Sequence, residues 1–222
     1  IEGGKQRMKN VDIFRQMAKG LVSYYDIESD LTQFAKKVMK PKQEVEMSDY
    51  QYSQWRKVRN AELKSGAVVK DMTKYDRSRQ PCNIPRVDSF QKNIKNSVKN
   101  VKKFSSKMSL LAKNLELTAG KHFIYSYFRS TGINVVIEYL ESQNWKQLKA
   151  KDLQNHYEKK PYKRNKFFVV LHSDISVKEE SMIKKYFNKN ENIHGEYIPV
   201  LIGDRKYKEG VSLQGVNNVH IL

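Results

Sequence analysis

The chain predicts an α/β fold: a parallel sheet flanked by helices, with a mostly helical N-terminal extension. Three observations carry this. Residues 122–128 are a dense apolar-aromatic run and 167–171 an unbroken apolar one, as in strands buried on both faces. Between and beside them, apolar residues recur at helical spacing, with Met108, Leu111, Ala112 and Leu115 as one stripe and Ile133, Val136, Ile137 and Leu140 as another. Strand and helix patterns then alternate to the end of the chain, which is the signature of βαβ units.

In order along the chain, residues 11–18 read as a short helix, followed by Gly20 and the apolar stretch 21–25. Residues 44–47 read as a short strand, and Asp49 as the N-cap of a helix from Tyr50 to about Lys64. Residues 65–104 are polar and basic and read as a linker or insertion, with a helix resuming near Val87. That stretch is either a nucleic-acid contact or a solvated surface. A helix that begins near residue 105 ends at Gly120, and a strand follows at 122–128. Thr131 reads as the N-cap of the next helix, and residues 141–166 as a polar section. Next come a strand at 167–171, a helix at 177–187 striped by Met182, Ile183, Tyr186 and Phe187, and strands at 198–202 and 216–222. The predicted divisions are thus 1–64, 65–104 and 105–222.

Composition narrows the partners. Lys and Arg number 42 against 24 Asp and Glu, a net charge of +18 over 222 residues, which draws polyanions towards the surface. Nucleic acid is the first candidate and an anionic membrane surface the weaker one, for no strongly amphipathic basic helix is present. No run of about 18 apolar residues predicts a membrane-spanning helix, so no membrane partner is expected. Residues 1–10 lack the order of a secretory signal, and the single Cys82 suits a reducing, intracellular compartment. Opening on Ile1-Glu2-Gly3-Gly4-Lys5 and closing on an apolar run, the chain reads as a piece of something longer.

In a parallel sheet, ligands sit beyond the carboxyl ends of the strands, which places candidate chemistry at residues 126–132, 172–176 and 203–215. Gly203 and Gly210 would allow close approach of a phosphate or ribose, and Arg205, Lys206 and Lys208 would bring charge to phosphates. Ser126 and Tyr127 offer hydroxyls to a phosphodiester backbone, and the backbone N–H groups at Thr131 can hold a phosphate. Residues 155–166 interleave aromatics with bases, as a single-strand groove or as a solvated loop. His122 reads as structural, and the spacing of His122, His156, His172, His194 and His220 suggests no metal site.

The run Gly203-Asp204-Arg205-Lys206-Tyr207-Lys208-Glu209-Gly210-Val211-Ser212-Leu213-Gln214-Gly215, between its two strands, resembles motif V of superfamily-two helicases. Gly120-Lys121-His122-Phe123-Ile124-Tyr125-Ser126-Tyr127-Phe128 with Thr131-Gly132-Ile133 resembles motif IV, and Asn192 and Gly195 fit the same spacing. Met47-Ser48-Asp49-Tyr50-Gln51-Tyr52 and residues 20–25 are similar to the segment that leaves the first RecA-like domain. The likeness is to the helicase-like ATPases of nucleocytoplasmic large DNA viruses, the poxvirus early transcription factor and nucleoside triphosphatase type with its asfarvirus and mimivirus relatives, distant kin of Swi/Snf translocases. It is close over 105–222 and looser over 1–64, and residues 65–104 match nothing in it.

The resemblance implies the C-terminal RecA-like domain of a P-loop NTPase helicase, cut after motif V. Glu209 and Gly210 would face ATP, while Ser126, Tyr127, Thr131, Arg205, Lys206 and Ser212 would face nucleic acid. ATP and Mg would be held mainly by a first domain that this chain lacks, for no Gly-x-x-x-x-Gly-Lys-Ser/Thr run occurs and Gly3-Gly4-Lys5 is followed by Gln6. No catalytic residue is assigned, and the chain alone is expected not to hydrolyse ATP. The implied partners are DNA or RNA, the N-terminal RecA-like half, and RNA polymerase or other viral transcription proteins, in host cytoplasm or virion. The alternative is a non-catalytic basic nucleic-acid-binding module of a transcription complex.

Overall fold

A computed structural model describes residues 10–19, 38–39, 41, 43–64, 76–85, 99–159 and 166–222. The chain divides into a unit of residues 1–43 and a larger one of residues 44–222. In the first unit α1 (Val11–Ala18) forms where the sequence reads as a short helix, with Ile13, Phe14 and Met17 exposed. Residues 20–37, including the apolar stretch 21–25, lie outside the described residues.

The larger unit holds α2 (Asp49–Lys64), α3 (Asp76–Asn83), α4 (Val101–Phe104), α5 (Ser106–Leu117), β1 (Lys121–Tyr125), α6 (Asn134–Ser142), β2 (Lys146–Gln147), α7 (Leu153–Tyr157), β3 (Phe167–Leu171), α8 (Val177–Phe187), β4 (Val200–Gly203) and β5 (Val216–Ile221). Its five strands form one sheet in the order β2-β3-β4-β1-β5. Every pairing is parallel, with Ile124 facing Ile202 and Val170 facing Ile202 across the ladders.

Alternation explains why the strands read as continuous apolar runs. Phe168, Val170, Val200, Ile202 and Ile124 turn to one face, where α5 and α6 cover them through Met108, Leu111 and Val136. Val169, Leu171 and Leu201 turn to the other face and meet Ile183 and Phe187 of α8. Each such fully buried side chain contributes ~1.5–3 kcal/mol of transfer free energy, so the sheet centre is the main source of stability. A capping box starts α8: Ser176 Oγ accepts from Glu179 N at 3.2 Å, and Glu179 Oε2 accepts from Ser176 N at 3.1 Å.

Several local expectations change. Residues 44–47 are not a strand, and α2 is opened by Ser48, whose Oγ accepts from Gln51 N at 3.1 Å, rather than by Asp49, which is already helical. The section 141–166 is not merely polar, because it contains the edge strand β2 and α7. His156 and Tyr157 of α7 pack with Phe167, Tyr186 and Tyr197 rather than lining an open groove, while residues 160–165 lie outside the described residues. Within 65–104, α3 docks on α2, where Gln51 Nε2 donates to Pro81 O at 2.9 Å, and Ile84 enters the core at 2% exposure. Val87 lies outside the described residues.

Candidate nucleic-acid interface

Because all strands are parallel, β1, β3 and β4 finish on one edge, and backbone and side chains tie their exit loops together there. Ser126 N donates to Gly203 O at 3.2 Å, and Asp204 N donates to Leu171 O at 3.2 Å. The buried Asp204 carboxylate accepts from Ser173 N at 2.8 Å and from Lys206 N at 3.0 Å. It therefore clips the β3 exit to the β4 exit and caps the short turn Arg205–Tyr207. Arg129 pairs with Asp174 across the same edge.

Lys206 is not free in solvent. Its Nζ lies 2.8 Å from Glu180 Oε2, which also accepts from Tyr207 OH at 2.9 Å, and Lys184 Nζ lies 2.6 Å from Oε1. The hydrogen bonds from Lys184 and then Lys206 hold the Glu180 carboxyl down to about 2. Burial, helped by Glu180, pushes the Tyr207 phenol up to about 12. Arg205 is exposed, and Glu209 is exposed with its carboxylate 3.1 Å from Lys208 Nζ.

The glycines of this loop divide. Gly210 has φ of 72° and open space around its Cβ position, which fits close approach of a ligand. Gly203 does not serve that purpose: it is buried, and a Cβ there would stand 2.8 Å from the Phe123 ring, so its role is packing. Ser212 lies away from the carboxyl edge, since its carbonyl accepts from Asn188 Nδ2 at 3.0 Å just beyond the C-terminal end of α8. The loop must return to the opposite edge because β5 runs parallel to the other strands.

At the β1 exit, Ser126 is wholly buried and Tyr127 is 40% exposed. Arg129–Ile133 forms a π-turn leading into α6, a form often found at functional sites. Thr131 therefore does not cap the helix: it lies inside the π-turn, buried, and its Oγ1 has no hydrogen-bond partner. Ser126 Oγ and Asn83 Nδ2 are likewise buried without partners. Gly132 makes this possible, since a Cβ there would stand 2.0 Å from Ser126 Oγ and 3.6 Å from Asn83 Nδ2. Ser126 and Thr131 thus present no hydroxyl at the surface, and of the motif IV trio Tyr127 alone is exposed. Sequence reasoning marked Arg79 and Asp174 only as parts of the stretches 65–104 and 172–176 and missed Asn83 and Glu180 as members of this edge, because only long-range contacts bring them here.

Among the described residues no group of three or more His, Cys, Asp or Glu side chains could hold a metal ion. At the tip of the loop the backbone at Gly210 is unobstructed and its neighbour Glu209 is exposed.

The parallel five-stranded sheet flanked by helices matches the C-terminal RecA-like domain of a Swi2/Snf2-type ATPase. The Sulfolobus solfataricus SWI2/SNF2 ATPase C-terminal domain matches with a TM-score of 0.50 and 14% identity, over 79% of this chain and 75% of that one, which shows the shared fold. In sequence, the chain is 26% identical over 242 aligned positions to an Acanthamoeba polyphaga mimivirus protein assigned by name as an ATP-dependent RNA helicase, covering 100% of this chain and 39% of that protein. It is 29% identical over 143 aligned positions to the African swine fever virus protein named Termination factor NPH-I homolog, covering 53% of this chain and 20% of that protein. No protein-family profile matches. These relatives and this fold agree with the C-terminal half of a superfamily-two helicase, and the chain spans well under half the length of either relative.

Proposed function

We propose that the chain is the C-terminal RecA-like part of an ATP-dependent nucleic-acid translocase that acts in viral transcription or genome handling. The observation that carries this is the alignment of the whole chain with the mimivirus helicase-named protein, on a fold whose motif IV and motif V loops meet at one sheet edge. The net charge of +18 suits a polyanionic track. In this reading ATP and Mg are bound chiefly by an N-terminal RecA-like half, and Glu209 and Gly210 close the site from this side. Arg205, Lys206 and Tyr127 face the nucleic-acid backbone. DNA or RNA and the N-terminal half are the direct partners. RNA polymerase or other viral transcription proteins are the wider ones, in host cytoplasm or virion.

The test is nucleic-acid-stimulated ATP hydrolysis by this chain alone and mixed with the half that carries the ATP-binding loop. Activity is expected only in the mixture, and Gly210→Ala or Lys206→Ala is expected to reduce it at least tenfold. If neither preparation hydrolyses ATP but the chain binds nucleic acid with a steep salt dependence, the non-catalytic binding module is the better account.

A further inference from the structure

The geometry points to a composite stacking platform, built by Tyr127 from the β1 exit and Arg79 from α3, that takes an unpaired base of single-stranded nucleic acid. This rests on the nucleic-acid reading and sharpens it to a strand class and a residue pair.

Tyr127 follows Ser126 at the end of β1. Since Ser126 turns into the core, its neighbour turns outward and stands 40% exposed at the ligand-facing edge. Phe128 fixes the ring by an edge contact, with centroids 5.3 Å apart and planes at 87°. The Arg79 guanidinium carbon sits 5.8 Å from the Tyr127 centroid and 5.4 Å from that of Phe128. An aromatic ring flanked by a planar cation offers a π face to a base and a charge to its phosphate.

The platform is held from behind. α3 is fastened to α2 by Gln51 Nε2, 2.9 Å from Pro81 O, and by Ser78 N, 2.9 Å from Glu62 Oε1. Lys107 Nζ donates to Asn83 Oδ1 at 3.1 Å. Beneath it, Ser126 Oγ, Thr131 Oγ1 and Asn83 Nδ2 are buried without partners, an arrangement that costs stability and marks the place as built for something other than packing. Residues 76–83 carry no motif resemblance, yet they deliver the cation to the motif IV turn.

The experiment uses the 222-residue chain and three fluorescent probes of equal length: an oligothymidine strand, an abasic phosphodiester strand, and a blunt duplex. Tyr127→Ala should weaken oligothymidine binding about tenfold, in line with stacking on one aromatic. It should leave abasic-strand affinity and the salt slope unchanged, and Tyr127→Phe should restore the wild-type value. Arg79→Ala should lower the salt slope by about one. Equal losses on oligothymidine and abasic strands, or no loss on oligothymidine, would overturn the platform. Tighter binding of wild type to the duplex than to oligothymidine would also overturn it. Failure of the wild-type chain to bind any probe would instead bring down the nucleic-acid reading itself.

Discussion

The two edges of the sheet are built to different standards. At the amino edge the buried polar groups described here are satisfied. Lys121, wholly buried, donates from Nζ to Phe187 O at 2.8 Å with the ammonium 4.4 Å from the Phe187 ring centroid. Asn192 donates to Phe187 O and Ile198 O at 3.0 and 3.2 Å, and accepts from Tyr197 N and Ile198 N at 3.0 and 2.8 Å. At the carboxyl edge Ser126, Thr131 and Asn83 leave buried atoms without partners beside a π-turn that only a glycine at 132 permits. The amino edge therefore serves stability. The carboxyl edge accepts a local cost where parallel sheets bind their ligands.

The largest expected break in this comparison is Asn192→Ala. It strands Ile198 N, Ile198 O and Tyr197 N, while Phe187 O keeps Lys121 Nζ, and should cost about 3 kcal/mol in urea unfolding. Next, Gly132→Ala pushes a methyl into Ser126 and should cost about 2 kcal/mol. Combining it with Ser126→Gly, which removes the atoms that clash, should recover most of that loss in thermal unfolding, and no recovery would mean the turn is strained for another reason. An intermediate effect comes from pH. Burial holds Lys121 at about 8 instead of 10.5, so the unfolded chain binds more protons between those limits. Stability should rise across that window, and Lys121→Met should flatten the rise. The smallest effect is Ser126→Ala, which removes a hydroxyl that makes no hydrogen bond and should change stability by less than about 1 kcal/mol.

Much of the fold was legible because parallel strands covered on both faces leave runs such as Phe168-Val169-Val170-Leu171. α8 was legible from its stripe of Met182, Ile183, Tyr186 and Phe187. β2 was not, because two residues at a sheet edge, Lys146 and Gln147, carry no apolar signature. α3 was not, because Pro81 inside an eight-residue polar segment argues against a helix, and its stability comes from α2. The Thr131 cap failed for a related reason: the chain enters α6 through a π-turn, where the hydroxyl turns inward. The loop residues 203–212 were legible from their Gly and basic spacing. Their division between the carboxyl edge and the end of α8 was not, since Asn188 and Glu180 set it from elsewhere in the chain.

Hydrogen–deuterium exchange of the chain with and without a single-stranded oligonucleotide separates the two edges. Exchange should slow over residues 126–131 and 203–210, with residues 187–198 at the amino edge unchanged. Slowed exchange confined to the amino edge, or spread evenly over both, would contradict that separation.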